Sequence, residues 1–154
     1  MKKFRYPMQS ILEIKRKLED QERSNYAAAQ MRLNAENEKL AELSARREEY
    51  EERLRDTVGK RLVPAHIRRD QEAVEVMKLL IRQQTVQVRK AEQNVEAAVH
   101  RLKAAMIERK TQERLREKAF ADYLGELEAE ERKEIDERVS FQHGAVGAVP
   151  EMTE

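Results

Sequence analysis

The chain has 154 residues, 40% of them charged and only 5% aromatic, with no cysteine and a formal net charge of +1. So few large apolar side chains cannot fill the core of a compact globule, the lack of cysteine excludes a disulfide framework, and the near-neutral charge argues against a nucleic-acid binder. A mean hydropathy of −0.90 would suit a disordered chain. Abundant Ala, Glu, Lys, Leu, Arg and Gln with helical periodicity marks long helices instead.

Residues Met1-Lys2-Lys3-Phe4-Arg5 are basic, but no apolar run of a signal peptide follows them. Nowhere does the chain approach the roughly 20 apolar residues of a membrane span. A soluble, cytoplasmic protein is therefore expected.

From Pro7 to Val58 there is neither Gly nor Pro beyond Pro7 itself, which allows a helix over about 8–58, ~75 Å long at 1.5 Å per residue. Two starts compete: Pro7 at a first helical position, or a capping box at Ser10-Ile11-Leu12-Glu13. The first helix offers Ile11, Ile14, Leu18, Tyr26, Ala29, Leu33, Leu40, Leu43, Tyr50, Leu54 and Val58 as its apolar face. Seven- and eleven-residue steps are mixed in it, which predicts gentle supercoiling. Gly59 is a candidate left-handed cap that opens a turn over 59–65.

Pro64 then reopens a helix, expected over about 66–138 and ~105 Å long. Ile67, Val74, Ile81, Val88, Val95 and Leu102 recur every seven residues. The intermediate positions hold Met77, Ala91, Ala98 and Ala105, with polar Asp70, Gln84 and Gln112. That is a coiled-coil seam. A short turn makes the helices antiparallel, so with the bend near Leu62 residue i faces roughly residue 124 − i, and Tyr26 meets Ala98, Leu33 meets Ala91. The fold expected is all-α, a long antiparallel two-helix coiled-coil hairpin over 1–140, followed by a disordered tail over 141–154. The seam is expected to fail near Arg109, and helix 2 to run on unpartnered beyond about Tyr123.

Charge is distributed unevenly. Residues 1–32 carry eight Lys/Arg against four Asp/Glu, whereas residues 124–154 carry three against nine. Arg109, Lys110, Arg114, Arg116 and Lys118 join the basic residues at the end away from the turn.

Catalytic, cofactor and metal sites are not expected. His66, His100 and His143 lack ligand spacing. Carboxylates such as Glu48-Glu49-Glu51-Glu52 are expected on solvated faces of a thin rod rather than in a catalytic cleft. There is no phosphate loop or nucleophile elbow, and two helices enclose no pocket for a small molecule. What remains is apolar surface unused by the seam. Val76, Leu79 and Val86 form an outward stripe flanked by Leu80, with Leu43 and Tyr50 at its edge. Leu115, Phe120, Tyr123, Leu124 and Leu127 form a second set, larger than helix 1 can cover. Scattered surface aliphatics are common, but an apolar face without an internal partner favours an external one.

The chain resembles the flagellar export protein FliJ family over residues 4–139. The resemblance rests on Phe4-Arg5-Tyr6 followed by Ile11-Leu12-Glu13-Ile14-Lys15, on Ala105, Glu108-Arg109-Lys110 and Leu115-Arg116-Glu117-Lys118, and on Tyr123 with Glu131-Arg132-Lys133-Glu134-Ile135-Asp136-Glu137. It implies a non-enzymatic stalk of the bacterial flagellar type III export apparatus, serving flagellum biogenesis, motility and chemotaxis. Its implied partners are the flagellar export ATPase ring, the cytoplasmic domain of the membrane export gate, and export chaperones. It implies no cofactor, no nucleic acid, no direct membrane insertion and a monomer when free. Its location would be cytoplasmic, peripheral to the inner face of the membrane. On that basis Leu115, Phe120, Tyr123, Leu124 and Leu127 are assigned to the ATPase ring, and Leu43, Tyr50, Val76, Leu79, Leu80 and Val86 to the gate. The alternatives are the equivalent stalk of a virulence-type secretion system and a generic coiled-coil scaffold.

Overall fold

A computed structural model describes residues 2–57 and 60–146. It contains two helices, α1 over Gln9–Thr57 and α2 over Pro64–Val146, and no strand among the described residues. The helices pack against each other as a hairpin.

The helix ends follow local chemistry. The carbonyl of Tyr6 accepts the N–H of Gln9 at 3.1 Å, and that of Met8 accepts Leu12 at 3.0 Å. Pro7 therefore sits in the turn that leads into the helix, with the φ it already holds, and neither expected start is the observed one: α1 begins at Gln9, and Ser10 lies inside the helix rather than capping it. At the second start the Val63 carbonyl accepts His66 and Ile67 at 3.0 and 3.2 Å, placing Pro64 at the first helical position, where its missing N–H costs nothing. Thr57 closes α1 by donating its hydroxyl to the carbonyls of Arg53 and Leu54. The cap expected at Gly59, and the seam position expected at Val58, lie outside the described residues. At the far end α2 continues through Gly125 and past Arg138 to Val146. One Gly costs a helix only about 1 kcal/mol, and strong helix formers surround it. Of the expected tail, residues 141–146 are helical and 147–154 lie outside the described residues.

Contacts group the chain into two units, Lys17–Ile107 and Met1–Arg16 with Glu108–Glu154. In the first, the covered positions on α2 run Ile67, Asp70, Val74, Met77, Ile81, Gln84, Val88, Ala91, Val95, Ala98, Leu102, Ala105. This is the 3.5-residue repeat read from sequence. Ala98 is wholly buried, and Val74, Val88 and Ala91 nearly so. On α1 the same repeat holds without a break from Glu19 and Glu22 through Tyr26, Ala29, Leu33, Glu36, Leu40, Leu43, Arg47, Tyr50 and Leu54 to Thr57.

The α1 seam corrects the sequence reading. Leu18 is 46% exposed, whereas Glu19 is buried. Leu18 is out of phase with the repeat, and the helix keeps the phase set by the longer stretch from Tyr26 onward. The polar residues thus drawn inward are paired. Glu19 accepts Arg23 at 2.8 Å, and Glu22 meets Arg101 of α2 at 3.4 Å. Deeper in this unit the amide of Gln84 donates to both the carboxylate and the main-chain carbonyl of buried Glu36. That amide holds the Glu36 carboxyl below its ordinary range, with Lys39 and Arg32 adding to the effect and burial opposing it. The Glu22–Arg101 pair lies one residue from the expected facing of i and roughly 124 − i.

In the second unit the correction continues. Leu12 is fully buried while Ile14 is 54% exposed. Lys15, on the repeat, bonds Glu108 of α2 at 2.8 Å, and Arg16 reaches Glu113 at 3.6 Å. The seam does not fail at Arg109. Arg109 and Gln112 keep the covered positions, the former bonded to Glu113 at 2.8 Å and the latter accepting the Tyr6 hydroxyl at 3.0 Å. From Glu128 to Gly144 every residue of α2 is exposed. This stretch has no partner helix among the described residues.

Candidate partner-binding surface

The surface that sequence assigns to the ATPase ring lies entirely in the unit of residues 1–16 and 108–154. Leu115, Phe120 and Leu124 are exposed, and Tyr123 and Leu127 are half-buried. What partly covers them is a segment that sequence reasoning gave no structural role. Residues 2–6 are not helical, and they lie along α2. The Phe4 ring meets Phe120 edge-on with centroids 5.1 Å apart and Tyr123 at 5.5 Å. Phe120 and Tyr123 stack at 6.3 Å. The Arg116 guanidinium lies 5.8 Å from the Phe4 centroid and donates to the side-chain carbonyl of Gln9 at 3.1 Å. The Tyr123 hydroxyl donates to the Lys2 carbonyl at 2.8 Å. Phe4 against Phe120 matches the facing of i and roughly 124 − i.

The balance that holds this segment is close. Half-burying Phe4 contributes about 1–2 kcal/mol. Each aromatic contact adds about 0.5–1.5 kcal/mol, and each of the Tyr6 and Tyr123 hydroxyl bonds about 1 kcal/mol. Ordering the backbone of residues 2–6 costs about 1–2 kcal/mol per residue. Gains and costs cancel to within a few kcal/mol. The balance leaves the segment only marginally held.

Beside it is an open groove lined by Lys2, Lys3 and Arg5 on one side and Asp122, Glu126 and Glu130 on the other. Tyr123 and Leu127 contribute its apolar part. Two walls of opposite sign suit a polar, mixed-charge partner better than a lipid or a nucleic acid. The signal for this cluster was present in composition. The chain has three Phe and four Tyr, and Phe4, Tyr6, Phe120 and Tyr123, more than half of them, converge in this one unit.

The stripe assigned to the gate lies in the unit of residues 17–107. Val76, Leu79 and Val86 are each about half exposed, at 52%, 50% and 48%. Leu80 is half-buried beside them. Leu43 and Tyr50 occupy seam positions, and the Arg53 guanidinium lies 5.5 Å from the Tyr50 ring centroid. The outward part of this patch is therefore the three residues of α2 alone.

His66, His100 and His143 are all exposed. Among the described residues no group of three or more His, Asp or Glu is placed to hold a metal ion. No described helix is long and apolar enough to cross a membrane.

A search of curated proteins finds no match. Among solved structures, the YscO-like protein CT670 from Chlamydia trachomatis is similar at a TM-score of 0.50 and 22% identity. That likeness covers 96% of this chain and 100% of the other, and it is one of fold. The family model of the flagellar FliJ protein matches residues 4–147. With that match spanning both helices and the segment that packs Phe4 onto α2, the chain belongs to the flagellar FliJ protein family.

Proposed function

We propose that this protein is a non-enzymatic stalk of the bacterial flagellar type III export apparatus. It binds the export ATPase ring through Leu115, Phe120, Tyr123, Leu124 and Leu127, and the cytoplasmic part of the export gate through Val76, Leu79 and Val86, with Leu43, Tyr50 and Leu80 supporting that patch. Export chaperones are further partners, and the protein works at the inner face of the cell membrane through the apparatus rather than by inserting into it. The observation that carries this reading is membership of the FliJ family over nearly the whole chain.

The physical arrangement supports it. Each unit holds an apolar patch that its own helices leave open, and exposed apolar groups in clusters favour protein partners. Two different patches suit a component that joins two machines, whereas a self-pairing coil needs one seam repeated.

The test is binding of purified protein to the flagellar export ATPase and, separately, to the gate's cytoplasmic domain. Phe120→Asp and Leu127→Asp are expected to lose ATPase binding while keeping the gate. Leu79→Asp is expected to do the reverse, with the far-UV circular dichroism of all three unchanged. ATPase binding that survives both Asp substitutions would refute the ring assignment.

A further inference from the structure

We infer that residues 2–6 form a displaceable strap over the α2 face that docks on the ATPase, so that strap and ATPase occupy Phe120 and Tyr123 in turn. The inference rests on the assignment of that face made above. It adds a regulatory element to the face: an occupant from within the same chain.

Four observations carry it. The strap reaches two of the five residues of the face, because Phe4 packs on both Phe120 and Tyr123. It is non-helical, so lifting it breaks no helical hydrogen-bond ladder. Its anchors are few: one aromatic ring, one cation over that ring, and the hydroxyl bonds of Tyr6 and Tyr123. Finally, Lys2, Lys3 and Arg5 stand exposed across a groove from Asp122, Glu126 and Glu130. A partner that presents basic groups to those carboxylates, with an apolar side chain for the ring site, would oppose the strap's cations and take the place of Phe4.

A seated strap lowers the apparent affinity of the face by the fraction of time the strap is open. An open fraction between about a tenth and a half means that removing the anchor raises ATPase affinity about two- to tenfold.

The experiment compares four forms of the full chain for binding to the flagellar export ATPase: wild type, Phe4→Ala, Phe120→Asp, and a locked form. The chain has no cysteine, so Lys3→Cys with Glu126→Cys, joined by a short bis-maleimide across the groove, fixes the strap in place. The same double variant left unjoined is the control. Phe4→Ala is expected to bind more tightly than wild type by the factor above. The locked form is expected to bind at least about tenfold more weakly than its unjoined control, and Phe120→Asp to lose binding. If Phe120→Asp loses binding while Phe4→Ala and the locked form match their references, the strap is refuted and the docking face stands. A Phe4→Ala that binds more weakly than wild type, with its helical signal intact, makes Phe4 part of the docking surface and likewise overturns the strap. Unchanged binding by Phe120→Asp removes the docking face, and the strap's proposed role with it.

Discussion

Leu12 and Ile14 separate the seam as the structure has it from the seam as apolar pattern alone would draw it. Both are aliphatic and they lie two residues apart on α1, but only Ile14 belongs to the apolar face expected from sequence. Leu12 is fully buried, however, and Ile14 is 54% exposed. Truncating a fully buried Leu to Ala costs about 2–5 kcal/mol, the spread reflecting how far the site collapses around the gap. In a two-helix layer one side of the gap is close to solvent and the helices can draw together. The lower half of that range, about 2–3 kcal/mol, is therefore the expected cost for Leu12→Ala. Ile14→Ala loses only partial burial and gains helix propensity, so a change within about 0.5 kcal/mol is expected. Urea unfolding followed by far-UV circular dichroism, with midpoint and slope fitted for each variant, gives both values. Equal losses, or a larger loss at Ile14, would refute the unbroken 3.5-residue repeat and the inward placement of Lys15 and Glu19 that goes with it.

Glu36 makes stability fall on the acid side. Its carboxyl is held below its ordinary value of 4.5, chiefly by the Gln84 amide. A lowered folded-state pKa stabilises above the unfolded-state value and is lost as pH falls through the folded-state value. Thermal melts of wild type and Glu36→Gln should therefore differ most near neutrality and converge as pH drops below 4.5; a difference that persists or grows in acid contradicts the pairing. Lys15 and Glu108 offer a charge-exchange test, since they pair at 2.8 Å while Glu108 is largely exposed. Lys15→Glu and Glu108→Lys should each cost about 0.5–1 kcal/mol at low salt and the double exchange should recover most of it. Added salt should shrink all three effects, and a double exchange no better than the single variants would show that the pair does not face as described.

The α2 seam was legible because six apolar residues repeat every seven, from Ile67 to Leu102, and buried helix faces obey that period. The break was equally plain, since Pro64 can only open a helix where no N–H is required. α1 before Tyr26 was not legible in the same way. Ile11, Ile14 and Leu18 form a local apolar face of their own, one that a window confined to α1 favours. What places Lys15 and Glu22 inward is the phase set by the seam beyond Tyr26, and the partners they meet there, Glu108 and Arg101, are about ninety and eighty residues away in sequence. Information of that kind has no local signature. The candidate surface shows the same division. Phe120, Tyr123, Leu124 and Leu127 stood out as apolar excess on a helix, whereas five non-helical residues around Phe4 carry no period to read. The extension of α2 past Arg138 to Val146 was not expected, whereas its run through Gly125 was. A Cβ there would meet nothing within 4 Å, so packing does not require that glycine.

The contact between Glu36 and Gln84 bears on how the two helices find a single alignment. Every heptad of a coiled coil looks much like the next, and sliding one helix by seven residues keeps most apolar layers filled. In this unit such a slide would set the Glu36 carboxylate against Met77 or Ala91, and the Gln84 amide against Ala29 or Leu43. None of these four side chains offers a hydrogen bond to an amide or a carboxylate. The Glu36 carboxylate would keep Lys39 of its own helix, at 3.7 Å, but it and the Gln84 amide would lose the bonds they make to each other. This one polar rung therefore acts as a keyed tooth in an otherwise repetitive ratchet. It yields a little stability in the aligned state and makes each neighbouring alignment worse. On the function proposed above, patches that meet two partners at set positions along the helices would depend on that alignment more than on raw stability.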